Sequence, residues 1–197
     1  MGKESSAVFL DRDGVINRIH DEDLGVVGSP FRPEQFILYS DVTEAIALIH
    51  QMGKKAILVS NQPDMAKGHY SKKSFEALNR KMKSLLKGSS ALDGVYYCLH
   101  HPDAVVEEYR KICECRKPKP GLLRQAAREQ GIDLSTSYMI GDGISDIEAG
   151  NKAGCRTILI GRQKCDICRL LSERALRPSA VSKNLLAAVQ KIKEWEE

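Results

Sequence analysis

Several features that mark other classes of protein are scarce or missing in this 197-residue sequence. Aromatic residues make up only 6% of it, with a single tryptophan, Trp195. No apolar run approaches the length that a membrane-spanning helix needs, and residues 1–6 lack the apolar region of a signal peptide. Internal repeats and low-complexity tracts are also missing. These absences argue against a membrane-spanning, secreted or repeat protein, and we expect a cytoplasmic one with no membrane partner.

The chain also lacks a strong charge of either sign. Its formal net charge is +4, and the charged residues are dispersed. A nucleic-acid groove needs clustered basic residues interleaved with aromatic side chains, so no nucleic-acid partner is expected. A mildly basic protein does suit a small anionic substrate. With 42% hydrophobic residues, the chain can bury one sizeable core, and we expect one domain over residues 1–197, acting as a monomer.

The most informative segment is a short apolar run that ends in two carboxylates. Residues 7–11 are predicted to form a strand, and Asp11 and Asp13 lie two residues apart just before Gly14. Side chains at i and i+2 of a strand point to the same side. Two acids in one pocket can act as a nucleophile and as a general acid and base. A plain turn is the alternative interpretation, since Asp and Gly are common turn formers.

Further polar segments follow the other predicted strands. The strand at 55–59 leads into an amide-rich segment, the strand at 137–141 leads into two more carboxylates, and a cationic run precedes a helical pattern. These residues are Ser60, Asn61, Gln62, Asp142, Asp146, Arg116, Lys117 and Lys119. Strands that alternate with helices predict an α/β fold, Rossmann-like, with a parallel sheet flanked by helices. A turn-capping role remains the alternative for Ser60, and offsetting a helix dipole remains the alternative for Asp146.

Local signals add detail to this pattern. Asp41 and Glu44 have capping-box spacing and predict a helix that ends at Gly53. Ser71 is predicted to cap a helix that runs to about residue 87. Residues 17–40 are rich in glycine and proline and are expected to be irregular, and residues 182–197 are expected to form a closing amphipathic helix.

Along the chain, the motifs supply carboxylates, then a hydroxyl, then a cation and then carboxylates again. With this order of motifs, nearly the whole chain resembles the haloacid dehalogenase (HAD) superfamily of phosphohydrolases. The resemblance implies a Mg²⁺-dependent phosphomonoester hydrolase with a minimal cap. Asp11 would be the nucleophile that forms an aspartyl-phosphate, and Asp13 the general acid and base. Ser60 and Lys117 would stabilise the phosphoryl group. The Mg²⁺ ligands would be Asp11, the Asp13 backbone carbonyl and Asp142, with Asp146 supporting the metal or the lysine.

A narrower resemblance lies in the loop at about residues 98–117. Cys98, His100, Cys113 and Cys115 offer three thiolates and one imidazole, which suit a closed tetrahedral zinc site. Such a structural Zn²⁺ would staple the loop that leads into Arg116 and Lys117. Disulfides are the alternative, although a Cys-x-Cys pair is poorly placed for one. His101 is the alternative to His100, and Lys119 is the alternative to Lys117.

This loop and the carboxylate motif look like the histidinol-phosphatase and heptose-bisphosphate phosphatase branch of the superfamily. That likeness implies a small phosphorylated sugar or metabolite as substrate, with Arg116 reading a second phosphate. Further substrate contacts would fall on Asn17, His20, Asn61 and Gln62. Gly143 stands where many heptose bisphosphatases carry a lysine, which leaves the sugar and its anomer open. A heptose 7-phosphatase is the leading hypothesis.

Other hypotheses remain beside it. They are a histidinol-phosphate phosphatase, a phosphatase of another small metabolite, a 3′-end polynucleotide phosphatase, and a non-catalytic, zinc-stapled binding module. The low aromatic content disfavours the polynucleotide enzyme, and the presence of all motif carboxylates disfavours the binding module. Cys165 and Cys168 form a Cys-x-x-Cys pair. We interpret this pair as small buried cysteines at a helix entry, with a redox pair or half a metal site as alternatives.

Overall fold

The protein is built on a parallel β-sheet. The computed structural model describes the backbone of residues 5–22, 26–161 and 171–197, and their side chains except at 20–22, 26 and 27. The strands of this sheet are β1 (Ala7–Leu10), β4 (Lys55–Asn61), β5 (Gly94–Cys98), β6 (Tyr138–Gly141), β7 (Arg156–Ile160) and β8 (Ala180–Ser182). Their order is β5-β4-β1-β6-β7-β8, and each neighbouring pair is parallel. A short antiparallel hairpin, β2 (His20–Glu22) with β3 (Val26–Gly28), follows β1.

Helices cover both faces of the sheet. They are α1 (Val42–Gln51), α2 (Lys72–Leu85), α3 (Gly121–Gln130), α4 (Ile144–Ala153) and α5 (Leu185–Glu196). Because successive strand residues point to opposite faces, β1 contributes to two cores. Val8 and Leu10 pack in the core shared with α1, α2 and α5, while Ala7 and Phe9 pack in the core shared with α3. The predicted α/β architecture is confirmed.

Three local predictions need correction. Asp41 does not cap α1, because its backbone is helical (φ −93°, ψ −6°) rather than extended, and its carboxylate accepts a hydrogen bond from Leu186 N at 2.9 Å instead. The segment 17–40 is not wholly irregular, since it contains the β2–β3 hairpin. The closing helix begins only at Leu185, where Asn184 is the N-cap, because residues 180–182 form β8. Ser71 does cap α2, as predicted.

The topology brings the polar strand ends together. Strands β4, β1 and β6 are neighbours at the centre of the sheet. Their carboxyl ends therefore meet at one edge, where open parallel sheets bind ligands. Between β1 and α1, the described residues hold only the hairpin and a 3-10 turn at Pro33–Gln35. Among the described residues, every helix is too short or too polar to cross a bilayer.

Candidate active site

A buried lysine lies at the centre of this edge. Lys117 Nζ donates to Asp11 Oδ1 at 2.8 Å and to the backbone carbonyl of Val59 at 2.9 Å, and it forms an ion pair with Asp146 at 2.5 Å. The Lys117 side chain is only 2% exposed. These carboxylates keep its pKa above the ordinary value against the cost of burial. Lys119, the alternative, points away and pairs with Glu114 at 2.7 Å. Lys117, and not Lys119, is therefore the lysine that contacts Asp11.

Three carboxylates cluster beside this lysine, and together they carry more negative charge than it neutralises. Ligand oxygens of Asp11, Asp142 and Asp146 all lie within 4.8 Å of one another. Burial, together with the negative charges of Asp11 and Asp146, raises the pKa of Asp142 to about 7. The pKa of Asp146 is also raised, chiefly by burial. A hard cation suits such an oxygen cluster.

Two glycines allow these carboxylates to approach so closely. Gly14 has a φ of +85°, and a Cβ there would lie 2.0 Å from Asp142 Oδ2. A Cβ at Gly141 would lie 2.2 Å from the Cβ of Asp146. Neither position accepts a side chain without displacing a carboxylate, which explains why glycine stands beside the acids in both motifs.

Asp13 is held by an extensive set of hydrogen bonds. Its carboxylate accepts from Arg12 Nε at 3.1 Å and Nη2 at 3.0 Å, from Asn17 Nδ2 at 2.8 Å, from Ser29 Oγ at 3.0 Å and from Gln62 Nε2 at 2.8 Å. The charge of Arg12 and these hydrogen bonds lower the pKa of Asp13 against the effect of burial. Arg12 and Ser29 were not predicted as site residues. The position of Arg12 between Asp11 and Asp13 in the sequence could have identified it. No feature of the sequence around Ser29 indicates a place in the site.

Asn17 and Gln62 occupy places other than those expected. Both were predicted to line a substrate pocket, but both residues are fully buried and turn toward Asp13. Asn61 instead joins the end of β4 to the lysine loop: its side chain donates to Lys117 O and accepts from Lys117 N, each at 3.0 Å. Ser60 is 2% exposed and accepts a hydrogen bond from Gln62 at 3.1 Å. Gln62 therefore bridges Ser60 and Asp13.

The predicted zinc ligands also converge. Ligand atoms of Cys98, His100, Cys113 and Cys115 all lie within 4.8 Å of one another. The sulfur atoms are 3.2–3.5 Å apart, and His100 Nδ1 lies 3.4 Å from Cys115 Sγ. The cysteines in this cluster are free thiols, not disulfides. His101 turns away, and its Nδ1 accepts from Asp103 N at 3.1 Å.

Two other features complete the surroundings. Arg116 is half-buried and donates to the His100 carbonyl at 3.2 Å, so the cysteine cluster and the predicted phosphate reader share one loop. A cavity of about 310 Å³ opens beside Asp142, between Gly14, Tyr39 and Lys183. The His20 side chain and the Cys165–Cys168 pair, for which we predicted roles, lie outside the described residues.

Comparison with known proteins decides the family. A family described as HAD-hydrolase-like matches residues 114–188. The chain is 42% identical over 157 residues to the D-glycero-β-D-manno-heptose-1,7-bisphosphate 7-phosphatase of Photorhabdus laumondii, covering 79% of this chain and 80% of that protein. It is 39% identical over 163 residues to the enzyme of the same name from Escherichia coli K12, covering 82% of each. The chain belongs to this family of HAD-type phosphatases.

Solved structures agree with this membership. The D,D-heptose 1,7-bisphosphate phosphatase of B. bronchiseptica, crystallised with magnesium and phosphate, matches with a TM-score of 0.77 at 29% identity. The match covers 96% of this chain and 99% of that one. The corresponding protein from Burkholderia thailandensis, at 21% identity and a TM-score of 0.63, supports the fold. The predicted resemblance to HAD phosphatases is confirmed, and the protein is a phosphatase of this family.

Proposed function

We propose that this protein removes the 7-phosphate from D-glycero-D-manno-heptose 1,7-bisphosphate. The observation that carries the proposal is the buried contact of Lys117 with Asp11 beside Asp142 and Asp146. A carboxylate, a cation and further hard oxygen ligands meet at one strand edge there, which supports a nucleophile and a neutralising charge in these positions. The names of the relatives at about 40% identity supply the sugar.

In this proposal Asp11 attacks the phosphorus atom and forms an aspartyl-phosphate. Phosphoryl transfer depends mainly on positioning and on neutralising charge. Lys117 offsets negative charge on the phosphoryl oxygens, and the Ser60 hydroxyl donates a hydrogen bond to them. Asp13 is ionised in the free site, so it must take up a proton as the substrate binds. It then gives this proton to the departing sugar oxygen and later takes one from the water that cleaves the aspartyl-phosphate.

The acidic cluster fits Mg²⁺. Asp11, Asp142 and the Asp13 backbone carbonyl would hold it, at a place where burial and the negative charges of the neighbouring carboxylates raise the pKa of Asp142. When bound, Mg²⁺ would neutralise charge between the nucleophile and the phosphate. Asp146 already pairs with Lys117 and accepts from Gly143 N at 3.0 Å. We therefore give Asp146 the role of orienting the lysine.

The cysteine cluster fits a structural Zn²⁺. Three thiols and one imidazole converge, and a tetrahedral site with ligand bonds of about 2.3 Å to sulfur requires such a closed set. This Zn²⁺ would fix the loop that carries Arg116 and Lys117. Arg116 would then bind the second phosphate of the bisphosphate, because a guanidinium pairs with oxyanions in bidentate fashion.

Phosphate release in the presence of Mg²⁺ tests the proposal. The substrates are both anomers of the heptose 1,7-bisphosphate, histidinol phosphate and a 3′-phosphorylated oligonucleotide. We expect a kcat/KM for one heptose anomer that exceeds the values for histidinol phosphate and the oligonucleotide by about a hundredfold, because neither of these carries the second sugar phosphate that Arg116 would bind. Equal, slow hydrolysis of all substrates would contradict the proposed substrate. A preference for histidinol phosphate would reassign it.

A further inference from the structure

Arg12 is a fully buried cation for which neither the predicted nor the proposed chemistry has a use. It lies between Asp11 and Asp13 in the chain and is 0% exposed. Its Nη1 has no hydrogen-bond partner among the described residues. Burying a charge and leaving one of its donors unpaired both cost stability. An arginine in such a place needs an explanation beyond packing.

The contacts of Arg12 point to Asp13. Arg12 supplies two of the five hydrogen bonds that the Asp13 carboxylate accepts, one to each oxygen, at 3.1 Å and 3.0 Å. A bidentate pair of this kind fixes both the position and the plane of a carboxylate. Asn17 and Gln62 each supply one further bond, and both residues are fully buried.

Ser29 is the fifth donor and comes from a different part of the fold. It follows β3 directly, so the end of the β2–β3 hairpin contacts Asp13 through a hydroxyl at 3.0 Å. Ser29 is partly exposed, whereas Arg12 is not. The Asp13 carboxylate is therefore held on its buried side by the Arg12 guanidinium. On its more exposed side it accepts a hydrogen bond from the Ser29 hydroxyl, which can rotate.

We infer that Arg12 and Ser29 are positioning residues for Asp13. Arg12 fixes the carboxylate plane, and Ser29 links it to the hairpin beside the site. The inference rests on the proposed role of Asp13 in protonating the sugar oxygen. Because kcat/KM reports the steps up to release of the leaving group and not the later hydrolysis of the aspartyl-phosphate, a misplaced Asp13 lowers kcat/KM only where the leaving group needs a proton. A sugar alkoxide needs one, whereas p-nitrophenolate is stable without one.

The test compares these two kinds of leaving group. Arg12→Lys keeps the charge and loses the bidentate hold, and Arg124→Lys, an exposed arginine on α3, is the matched control. We expect Arg12→Lys to reduce kcat/KM for the heptose bisphosphate about 30–100-fold, up to the lower limit of the roughly 10²–10⁴-fold that a general acid contributes, because Asp13 itself is kept. The loss for p-nitrophenyl phosphate should stay within about fivefold, because that reaction lacks the general-acid term. Arg124→Lys should change neither rate.

Ser29→Ala supplies a second, milder variant should Arg12→Lys fold poorly. Losing one hydrogen bond of about 0.5–1.5 kcal/mol predicts about a 2-fold to 13-fold loss of kcat/KM on the heptose substrate, again with little loss on p-nitrophenyl phosphate. Ser84→Ala, an exposed serine on α2, is its control.

Each outcome decides the inference. Equal losses on both substrates, or no selective loss in Ser29→Ala, would overturn the positioning role and leave the phosphatase proposal standing. A wild-type protein that hydrolyses neither substrate would instead overturn the proposed function and, with it, the inference.

Discussion

Lys117 is the residue on which the charge arrangement of the site depends. It touches both Asp11 and Asp146 and is almost completely buried. Removing its charge would leave the carboxylates of Asp11 and Asp146 without the cation that lies between them. The cost would appear in the transition state, where the phosphoryl group adds further negative charge.

Replacing Lys117 with Gln should therefore reduce kcat by about 10²–10³-fold, as loss of a preorganised charge-stabilising group does elsewhere. The matched control is Lys119→Gln, whose ion pair with Glu114 is exposed. An exposed pair contributes little, so kcat of this control should stay close to that of wild type. Steady-state phosphate release measures both. A larger loss in Lys119→Gln would show that the wrong lysine has been assigned.

Gly14 gives a second residue-scale prediction. Gly14→Ala would place a Cβ 2.0 Å from Asp142 Oδ2, whereas Gly53→Ala, at a φ of +71°, would meet nothing within 4 Å. Both variants should lose about 1–2 kcal/mol of unfolding free energy, the cost of a left-handed alanine. Only Gly14→Ala should also lose Mg²⁺ affinity and activity, because only there is a carboxylate displaced.

Chemical denaturation and Mg²⁺ titration separate the two effects. Unchanged Mg²⁺ binding in Gly14→Ala would contradict the placement of Asp142 as a metal ligand.

At the scale of elements, the loop between β5 and α3 carries both the proposed zinc site and the two cations, Arg116 and Lys117, that we propose act on the phosphates. His100 belongs to the cysteine cluster and His101 does not. His100→Ala should therefore abolish stoichiometric zinc, and His101→Ala should retain it. Each kcal/mol of lost stability lowers Tm by about 2–4 °C in a chain of this size, so His100→Ala should also melt earlier.

Metal analysis of the purified variants and thermal melts check this prediction. Equal zinc content in the two variants would reverse the choice of histidine. Chelation of zinc from the wild type should lower Tm in the same way, and an unchanged melt would show that no metal supports the loop.

Element prediction from the sequence worked where the local signal was strong. Ser71 caps α2, as predicted. The prediction missed β8, which has three residues and, within the described part of the chain, pairs with β7 alone. It was also wrong for Asp41, whose carboxylate binds the start of α5, far along the chain. Contacts made only after folding leave no local pattern.

At the scale of the whole molecule, the last turn of the closing helix α5 packs on the first residues of β6 and β7, at the end of the strands opposite to the site. Arg156 on β7 lies 3.7 Å from the ring centre of Trp195, which stacks on Tyr138. Trp195→Ala should lower the free energy of unfolding by about 2 kcal/mol, since it removes the cation–π contact and half-buried aromatic area. The activity should not change, because α5 carries none of the proposed catalytic residues.

Urea denaturation followed by circular dichroism measures this loss. Lys191→Ala, on the exposed side of α5, should stay within about 0.5 kcal/mol of wild type. Equal stability of Trp195→Ala and wild type would contradict the stabilising role of the contact.

The sequence also predicted much of the site, because strand order brings motif residues together. Asp11, Lys117 and Asp142 were identified from strand ends and from a family resemblance, and the structure places them at one edge. The arrangement around Asp13 was not predictable in this way. Ser29 and Gln62 reach it from segments 16 and 49 residues away. Their convergence depends on the packed fold and not on spacing.

The central claim is that Asp11 accepts the phosphoryl group. Rapid acid quench during turnover of the heptose bisphosphate, followed by mass spectrometry of the peptide that contains Asp11, tests it most directly. We predict a transient gain of one phosphoryl group on Asp11 in the wild type, and neither that gain nor turnover in Asp11→Asn. Turnover by Asp11→Asn at the wild-type rate, or a phosphoryl group found on a different residue, would contradict the account.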